Sequence, residues 1–320
     1  MFSILEKIEE IGIVPVVKID NAKDAVPLAE ALCEGGLPCA EVTFRTAAAA
    51  EAIGLMTKAF PEMLLGAGTV LTTQQADMAI QAGARFIVSP GLNPKVVQHC
   101  LDNGYPVVPG VATPSEVEQA ISLGLGVVKF FPAEAAGGLA MIKAMSAPYV
   151  NLKFMPTGGI SASNLNSYLD FSKIIACGGS WMVNSKLINA GDFDAIRDLT
   201  RQAVDQMLGF KFAHIGINQP DELTSKKTSD NISELFGFGL RETGASFFAG
   251  EELEVMKSMG EGIKGHIGIR TNYLFRAFAY LSRKGVKFRM DTARYDENGR
   301  MKFIYLQGEM GGFAVHLVQK

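Results

Sequence analysis

Short apolar runs alternate with amphipathic stretches through the first two thirds of the chain, and the alternation repeats eight times before residue 209. The apolar runs are rich in β-branched residues, which indicates strands. The stretches between them carry apolar residues at helical spacing, and several are preceded by Thr or Asn and followed by Gly. The predicted strands are 13–19, 39–44, 64–70, 85–90, 106–111, 127–131, 152–156 and 173–177. The helices predicted between them include 22–34, 47–60, 72–82, 94–103 and 114–123.

The strands are too uniformly apolar for a sheet with one face in water. Eight βα units in roughly two hundred residues predict an α/β fold, a compact (β/α)8 TIM barrel over residues 1–209, rather than an open doubly wound sheet. Active sites of such barrels lie at the carboxyl ends of the strands. The polar or flexible residues expected there are Glu41, Thr43, Arg45, Gly68, Thr69, Ser89, Pro90, Lys129, Gly158, Gly159, Gly179 and Ser180.

The remaining stretch, residues 210–320, has no place in an eight-unit barrel and contains an internal repeat. His-Ile-Gly-Ile begins at His214 and again at His266, 52 residues later. A repeat of this length has the size of a supersecondary unit. Each copy is followed by a helical stretch (228–236; 274–284) and then by strand-like runs (239–248 and 253–257; 286–292, 301–307 and 313–318). We therefore predict a smaller α+β domain built of two βαβββ modules.

Composition narrows the function classes. Of 320 residues, 48% are hydrophobic and 20% charged, with a formal net charge of −3, so no basic surface indicates nucleic acid or an anionic membrane. The first ten residues are acidic at helical spacing, and no apolar run approaches about 18 residues, which leads us to expect a cytoplasmic protein. The four cysteines show no C-x-x-C spacing and are expected to be buried free thiols.

Lys129 stands out because it interrupts an apolar run, Val127-Val128-Lys129-Phe130-Phe131, where a buried strand is predicted. Burial disfavours the charged form of an amine, and a neutral amine can condense with a substrate carbonyl. The alternative is a strand-end lysine whose amine reaches water. This short run alone does not decide between a buried, neutral amine and a solvated one.

Glu41 is the second ionisable group expected inside the barrel. Its carboxylate would suit a proton shuttle for imine chemistry, whereas the structural alternative is an ion pair with Arg45. Two ionisable groups in a barrel interior are hard to explain by packing. The glycine pairs at Gly158 and at Gly178 follow the seventh and eighth strands, where barrels commonly bind phosphate through backbone N–H groups.

Together these segments resemble the class I aldolases for 2-keto-3-deoxy-6-phosphogluconate (KDPG) and 4-hydroxy-2-oxoglutarate (KHG). The resemblance covers roughly residues 1–209 in order and spacing. The segments that carry it are Glu41-Val42-Thr43-Phe44-Arg45-Thr46, Gly66-Ala67-Gly68-Thr69-Val70, Ser89-Pro90-Gly91, Val108-Pro109-Gly110, Lys129-Phe130-Phe131-Pro132-Ala133-Glu134, Pro156-Thr157-Gly158-Gly159-Ile160 and Gly178-Gly179-Ser180-Trp181.

The resemblance implies a role for each site residue. Lys129 would form an imine with the 2-keto carbon, and Glu41 would move the protons. Arg45 and Thr69, with the backbone near Gly68, would hold the pyruvate carboxylate. Pro90 and Phe131 would form an apolar wall. The residues implied for the distal phosphate are Gly158, Gly159 and Ser180.

The resemblance also implies products, cofactors and partners. KDPG would give pyruvate and glyceraldehyde 3-phosphate, and KHG would give pyruvate and glyoxylate. The protonated imine is the electron sink, so we expect no metal and no organic cofactor. The partner would be a small keto acid substrate, and family members are commonly homotrimers.

The C-terminal modules resemble the glyoxalase or vicinal-oxygen-chelate superfamily. By that resemblance His214, Glu254, His266 and His316 would stand where metal ligands are often placed, and three histidines with a carboxylate suit a divalent transition metal. Strand histidines are also often packed core residues, and the sequence favours that interpretation, so no metal ligand is assigned from it.

Three hypotheses follow for the whole chain. The leading one is a pyruvate-forming class I aldolase with an appended glyoxalase-like domain. A second is a bifunctional enzyme with a metal-dependent activity in residues 210–320. The third is a phosphate-ligand-binding barrel without chemistry, against which the combination of Lys129, Glu41 and Arg45 argues.

Overall fold

The computed structural model describes residues 3–320, and the chain divides into two compact units, Met1–Met207 and Leu208–Lys320. The first unit alternates strands and helices. Its strands are β1 (Ile13–Val17), β2 (Cys39–Thr43), β3 (Leu64–Gly68), β4 (Phe86–Val88), β5 (Val107–Val108), β6 (Gly110–Val111), β7 (Val127–Phe130), β8 (Lys153–Pro156) and β9 (Cys177–Gly179). Its helices are α1 (Ile4–Ile11), α2 (Ala25–Glu34), α3 (Ala49–Ala59), α4 (Thr73–Gln81), α5 (Pro94–Asp102), α6 (Pro114–Ser122), α7 (Gly138–Ser146), α8 (Leu165–Leu169), α9 (Ser185–Ala190) and α10 (Phe193–Leu208).

The strands of this unit form a curled parallel sheet. Six of them are hydrogen-bonded in the order β5-β4-β3-β2-β1-β9, and three more in the order β6-β7-β8. Isolated parallel bridges join Phe154 to Ile174 and Thr157 to Gly178, which links β8 to the segment around β9. The expected α/β fold is thus confirmed, with the carboxyl ends of the parallel strands at one edge.

Local sequence signals predicted the ends of most of the predicted helices in this unit to within one or two residues. Thr72 caps α4 by accepting from the Gln75 N–H, and Thr113 forms a capping box with Glu116 at the start of α6. Pro114 lies in the first turn of α6, where a missing N–H has no cost. The helical prediction over 22–34 was too long, since its first three residues form a 3₁₀ turn that precedes α2.

Two strand predictions need correction. The run 106–111 is two short strands, because Pro109 lies between β5 and β6 and has no N–H for a ladder. The eighth strand was placed at 173–177, but β9 spans Cys177–Gly179, and its pairing with β1 begins at Cys177 opposite Ile13. Ile174 to Ala176 are buried by packing and were therefore indistinguishable from a strand in sequence.

The second unit is a single eight-stranded sheet with two helices. Its elements are β10 (Lys211–Ile217), α11 (Glu222–Phe236), β11 (Leu240–Glu242), β12 (Ser246–Ala249), β13 (Leu253–Met256), β14 (Gly265–Thr271), α12 (Leu274–Arg283), β15 (Phe288–Tyr295), β16 (Met301–Met310) and β17 (Phe313–Gln319). The strand order is β11-β12-β13-β10-β14-β17-β16-β15. Each half therefore has the element order strand, helix and three strands.

The two halves meet through their first strands. β10 pairs antiparallel with β14, while β10 is parallel to β13 and β14 is parallel to β17. In the first half, α11 begins six residues before the predicted start, because Asp221 caps it by accepting from the Thr224 N–H. The run 239–248 is two strands, β11 and β12, rather than one.

Among residues 3–320, no helix has the length and apolar character needed to cross a lipid bilayer. This agrees with the absence of a long apolar run in the sequence.

We expect a protein truncated after Gly209 to fold on its own, because the first unit has its own sheet and its own buried apolar residues. Far-ultraviolet circular dichroism and a cooperative thermal transition would measure this. A truncated protein without a cooperative transition would contradict the prediction.

Candidate active site and a second polar cluster

Lys129 and Glu41 meet inside the first unit. Lys129 lies in β7 and Glu41 in β2, and the Lys129 Nζ donates to Glu41 Oε1 at 3.3 Å. The lysine residue is 5% exposed and the glutamate residue 0%. The burial expected for Lys129 is therefore observed, and Glu41 pairs with Lys129 rather than with Arg45.

Gly68 provides the space for the Glu41 carboxylate. A Cβ atom added at Gly68, at the end of β3, would lie 2.2 Å from Glu41 Oε1. The other carboxylate oxygen, Oε2, is buried without a hydrogen-bond partner in the described part of the chain. Buried acceptors are normally satisfied, and exceptions need an explanation such as a bound group or a catalytic role. Glu41 therefore has one oxygen on the lysine and one free for a substrate or water.

Arg45 reaches the same strand end through Thr43. The Arg45 Nε donates to Thr43 Oγ1 at 3.1 Å, and the Thr43 hydroxyl donates to the Val17 carbonyl at 2.7 Å. Thr43 is buried whereas Arg45 is exposed. This chain of hydrogen bonds holds the guanidinium through its Nε and leaves its two terminal nitrogens able to bind an anion.

Three other predicted residues have different local settings. The Phe131 ring centroid is 5.3 Å from the Lys129 Nζ, so this half-buried ring forms part of the lysine's surroundings. Thr69 has a φ of 57°, an unusual backbone conformation for a β-branched residue. Such conformations concentrate at functional sites. Pro90 is half-buried. Its backbone packs closely against Gly110, since a Cβ added at Gly110 would lie 2.0 Å from the Pro90 carbonyl oxygen.

The loop after β8 lies next to the end of β9. Gly158 and Gly159 have φ angles of 99° and 82°, which only glycine adopts without strain. The bridge between Thr157 and Gly178 brings this loop beside β9, which is followed by the exposed Ser180. The three residues expected to bind phosphate thus stand on adjacent strand ends.

Sequence reasoning missed two features at this end of the unit. The Thr157 Oγ1 is buried without a hydrogen-bond partner among the described residues. Its signal in the sequence was a hydroxyl directly after the apolar residues Phe154-Met155-Pro156. Glu134 accepts a hydrogen bond from the buried Tyr168 hydroxyl, and its backbone N–H donates to the Gly158 carbonyl at 3.0 Å. Burial is the main cause that raises the pKa of Tyr168, followed by the bond to Glu134. Nothing in the local sequence links Tyr168 to Glu134.

The second unit contains a compact cluster of His214, His266, His316 and Glu254. The Nε2 of His214 is 3.2 Å from that of His266 and 3.1 Å from that of His316. Glu254 Oε2 is 3.1 Å from the His266 Nε2 and 3.4 Å from the His214 Nε2. Donor atoms of all three histidines lie within 4.8 Å of one another.

These distances fit a shared metal better than a hydrogen-bond network. A ring nitrogen carries one hydrogen or one lone pair, yet the Nε2 of His214 has three close polar neighbours. Ligand atoms roughly 2.1 Å from one metal are separated by about 3.0 to 3.4 Å at octahedral or tetrahedral angles. The residues therefore fit a divalent transition metal.

Burial favours the neutral form of two of the imidazoles, those of His316 and His214. Burial is the main reason that the pKa of His316 is lowered to about 3, and His214 and His266 lower it further. Burial likewise lowers the pKa of His214. The pKa of Glu254 is lowered although burial opposes this, because it accepts from His266 and Ser246. Neutral imidazoles and an ionised carboxylate are the metal-binding forms.

The two glycines of the repeat make this cluster possible. Gly216 and Gly268 stand two residues after His214 and His266, on the same face of β10 and β14. A Cβ at Gly216 would lie 2.0 Å from the His266 ring, and one at Gly268 would lie 2.6 Å from the His214 ring. Each His-Ile-Gly segment thus supplies one histidine of the cluster and the space for the histidine of the other half.

The first unit has relatives among known aldolases. The family model for KDPG and KHG aldolase matches residues 4–199, and the chain belongs to this family. A 2-dehydro-3-deoxy-phosphogluconate aldolase from Treponema pallidum is 51% identical over 209 residues, which are 65% of this chain and 99% of that protein. One from Haemophilus influenzae is 50% identical over 202 residues, 63% of this chain and 95% of that protein.

Solved structures lead to the same family. The KDPG aldolase of Legionella pneumophila, with pyruvate captured as a covalent carbinolamine intermediate, is 39% identical and has a TM-score of 0.60. The match covers 62% of this chain and 97% of that one. The KDPG aldolase of Zymomonas mobilis with 3-phosphoglycerate is 40% identical with a TM-score of 0.58, over 62% of this chain and 94% of that one. The predicted class I pyruvate aldolase family is thereby confirmed.

Gly68→Ala should lower kcat by about 10²-fold, because the methyl group must displace the Glu41 carboxylate and small misplacements of catalytic groups have effects of that size. The assay is steady-state pyruvate release from KDPG. Gly126→Ala is the matched control, since a Cβ there meets nothing within 4 Å. Near wild-type turnover in a folded Gly68→Ala variant would contradict the assigned role of this space.

Proposed function

We propose that residues 1–209 form a closed (β/α)8 barrel that acts as a class I aldolase on KDPG, on KHG or on both. The main support is the buried contact of 3.3 Å between Lys129 and Glu41 in a chain of this family. The bridges between β8 and the β9 region support closure of the sheet. KDPG would yield pyruvate and glyceraldehyde 3-phosphate, and KHG would yield pyruvate and glyoxylate.

Lys129 supplies the nucleophile in this proposal. Its neutral amine attacks the C2 carbonyl to give a carbinolamine, which loses water to form a protonated imine. Glu41, which takes up the proton that the Lys129 ammonium loses, delivers it to the departing hydroxyl. It then accepts the proton of the C4 hydroxyl as the C3–C4 bond breaks, and the imine takes up the electron pair. Protonation at C3 and hydrolysis release pyruvate and restore the lysine.

The substrate ends are assigned to the residues around this pair. Arg45 and Thr69, with the backbone at Gly68, take the carboxylate of the keto acid. Pro90 and Phe131 provide the apolar wall. The residues proposed for the distal phosphate are Gly158, Gly159 and Ser180. The chemistry uses the imine as its electron sink and needs no metal or organic cofactor, and we propose a homotrimer as the assembly.

Lys129 should be trapped by borohydride in the presence of pyruvate, because reduction fixes the imine as a stable secondary amine. Peptide mass spectrometry should locate the adduct on this residue. Lys129→Met should give no adduct, whereas Lys153→Met, which removes a lysine paired with Glu9, should react as the wild type does. An adduct on a different lysine, or one that persists in Lys129→Met, would refute the mechanism. A barrel that only binds phosphate ligands would cleave neither substrate.

We propose a second function for residues 210–320, a metal-dependent activity of the glyoxalase type on two βαβββ modules. His214, His266, His316 and Glu254 would hold the metal. The specific observation is that three polar atoms lie close to the His214 Nε2, those of His266, His316 and Glu254. A single ring nitrogen cannot form a hydrogen bond with all three. A metal bound there supplies a Lewis acid that polarises an oxygen ligand.

The full-length protein should retain about one Co²⁺ per chain after dialysis, measured by elemental mass spectrometry and visible absorption. His266→Ala should lose this metal, because it removes a ligand that contacts Glu254 and His214. The matched control is His99→Ala, since His99 pairs with Asp77 in the first unit. Equal metal content in the two variants would exclude this centre. Removal of the metal by EDTA should leave KDPG cleavage by the first unit unchanged.

A further inference from the structure

The four clustered side chains of the second unit belong to two cross-strand rows related by the internal repeat. Neighbouring residues of a row lie on adjacent strands and face the same side of the sheet. One row contains, in order, Arg241, Phe248, Glu254, Gly216 and His266. The other contains Arg289, Tyr305, His316, Gly268 and His214. Each row therefore ends in an arginine, separated from the cluster by an aromatic ring.

The two terminal arginines differ in what they contact. The guanidinium of Arg289 donates to Glu261 at 2.7 Å and to Asp291 at 3.1 Å, so its charge is compensated. Arg241 stacks on Phe248 with its Cζ 4.1 Å from the ring centroid. Within residues 3–320 it has no carboxylate partner. Both halves therefore have an arginine at the end of the row, and only the guanidinium of Arg241 is without a carboxylate.

A second uncompensated guanidinium lies on the side of the other module. The Cζ of Arg294 is 5.5 Å from the Phe303 centroid, and this ring stacks on His316 at 4.4 Å. Phe248 similarly meets the His214 ring at 6.1 Å. Arg294 also lacks an ion pair within the described chain. Arg241 and Arg294 thus each stand one ring away from a histidine of the cluster.

Tyr305 adds a neutral donor beside the same cluster. Its ring centroid is 5.1 Å from that of His316 and 6.4 Å from that of His266. The residue is half-buried, and its hydroxyl has no hydrogen-bond partner in the described part of the protein. A phenol next to imidazoles can donate to an oxygen that binds the same metal.

We propose that the second unit binds a small oxyanion, a carboxylate or a phosphate compound, with one oxygen on the metal and its charge met by Arg241 and Arg294. The inference rests on the metal centre proposed above. Four protein ligands leave up to two positions open on an octahedral metal. Guanidinium groups recognise carboxylate and phosphate alike through paired N–H donors. Tyr305 donates to the metal-bound oxygen.

The test follows the visible spectrum of the Co²⁺-loaded full-length protein, because the signal comes from the metal and not from the barrel. The probes are oxalate, inorganic phosphate and the uncharged dicarbonyl 2,3-butanedione. Oxalate or phosphate should change the spectrum at lower concentration than butanedione. Arg241→Met combined with Arg294→Met should weaken binding of the preferred anion by about tenfold or more, as expected for lost charged hydrogen bonds.

The matched control removes two positive charges elsewhere in the same unit. Arg300 and Lys302 lie around the turn that joins β15 to β16, and Lys302 points to the opposite face from Phe303. Arg300→Met with Lys302→Met should keep anion affinity near the wild type.

The outcomes separate this inference from the metal centre itself. Normal Co²⁺ binding with equal anion affinity in both double variants would overturn the arginine assignment and leave the metal centre intact. Preferred binding of butanedione would overturn the anionic ligand class. Absence of Co²⁺ binding in the wild type would overturn both proposals. The stronger of the two anions, oxalate or phosphate, identifies the ligand chemistry.

Discussion

The contact between Lys129 and Glu41 is the constraint on which the first unit depends. Taking two ionisable groups out of water is costly, and their attraction compensates only when both are well placed. Lys129 comes from β7 and Glu41 from β2, 88 residues apart, and Gly68 leaves room for the Glu41 carboxylate. Replacing a buried ion pair by well-packed apolar side chains is often neutral or even stabilising. The presence of this buried pair is therefore explained by a catalytic role rather than by stability.

Other unsatisfied polar atoms lie at the same end of this unit. Glu41 Oε2 and Thr157 Oγ1 are both buried without partners in the described structure; Glu41 lies in the middle of β2, and Thr157 directly follows β8. Native interiors satisfy most such atoms. Thr69, with its unusual φ, lies at the same end of the unit, and backbone conformations of this kind concentrate at functional sites.

In the second unit, the polar cluster is accommodated by two repeated segments. Two His-Ile-Gly segments meet antiparallel in β10 and β14, so that each glycine accommodates the imidazole of the other half. Neither half has the complete cluster, since one contributes His214 and Glu254 and the other His266 and His316. The two halves differ in their outer positions: Arg289 is neutralised by carboxylates and Arg241 is not.

The sequence by itself determined the features that depend on local periodicity. Eight alternations of apolar runs and amphipathic stretches, a charged residue inside one run at Lys129, and the repeated motif at His214 and His266 all follow from neighbours along the chain. Tertiary structure alone decided the features that depend on neighbours across strands. It placed β9 beyond the predicted run, paired Glu41 with Lys129 rather than Arg45, and joined Tyr168 to Glu134. It also decided which histidine nitrogens converge, because those contacts join residues 52 and 102 positions apart and no local pattern encodes them.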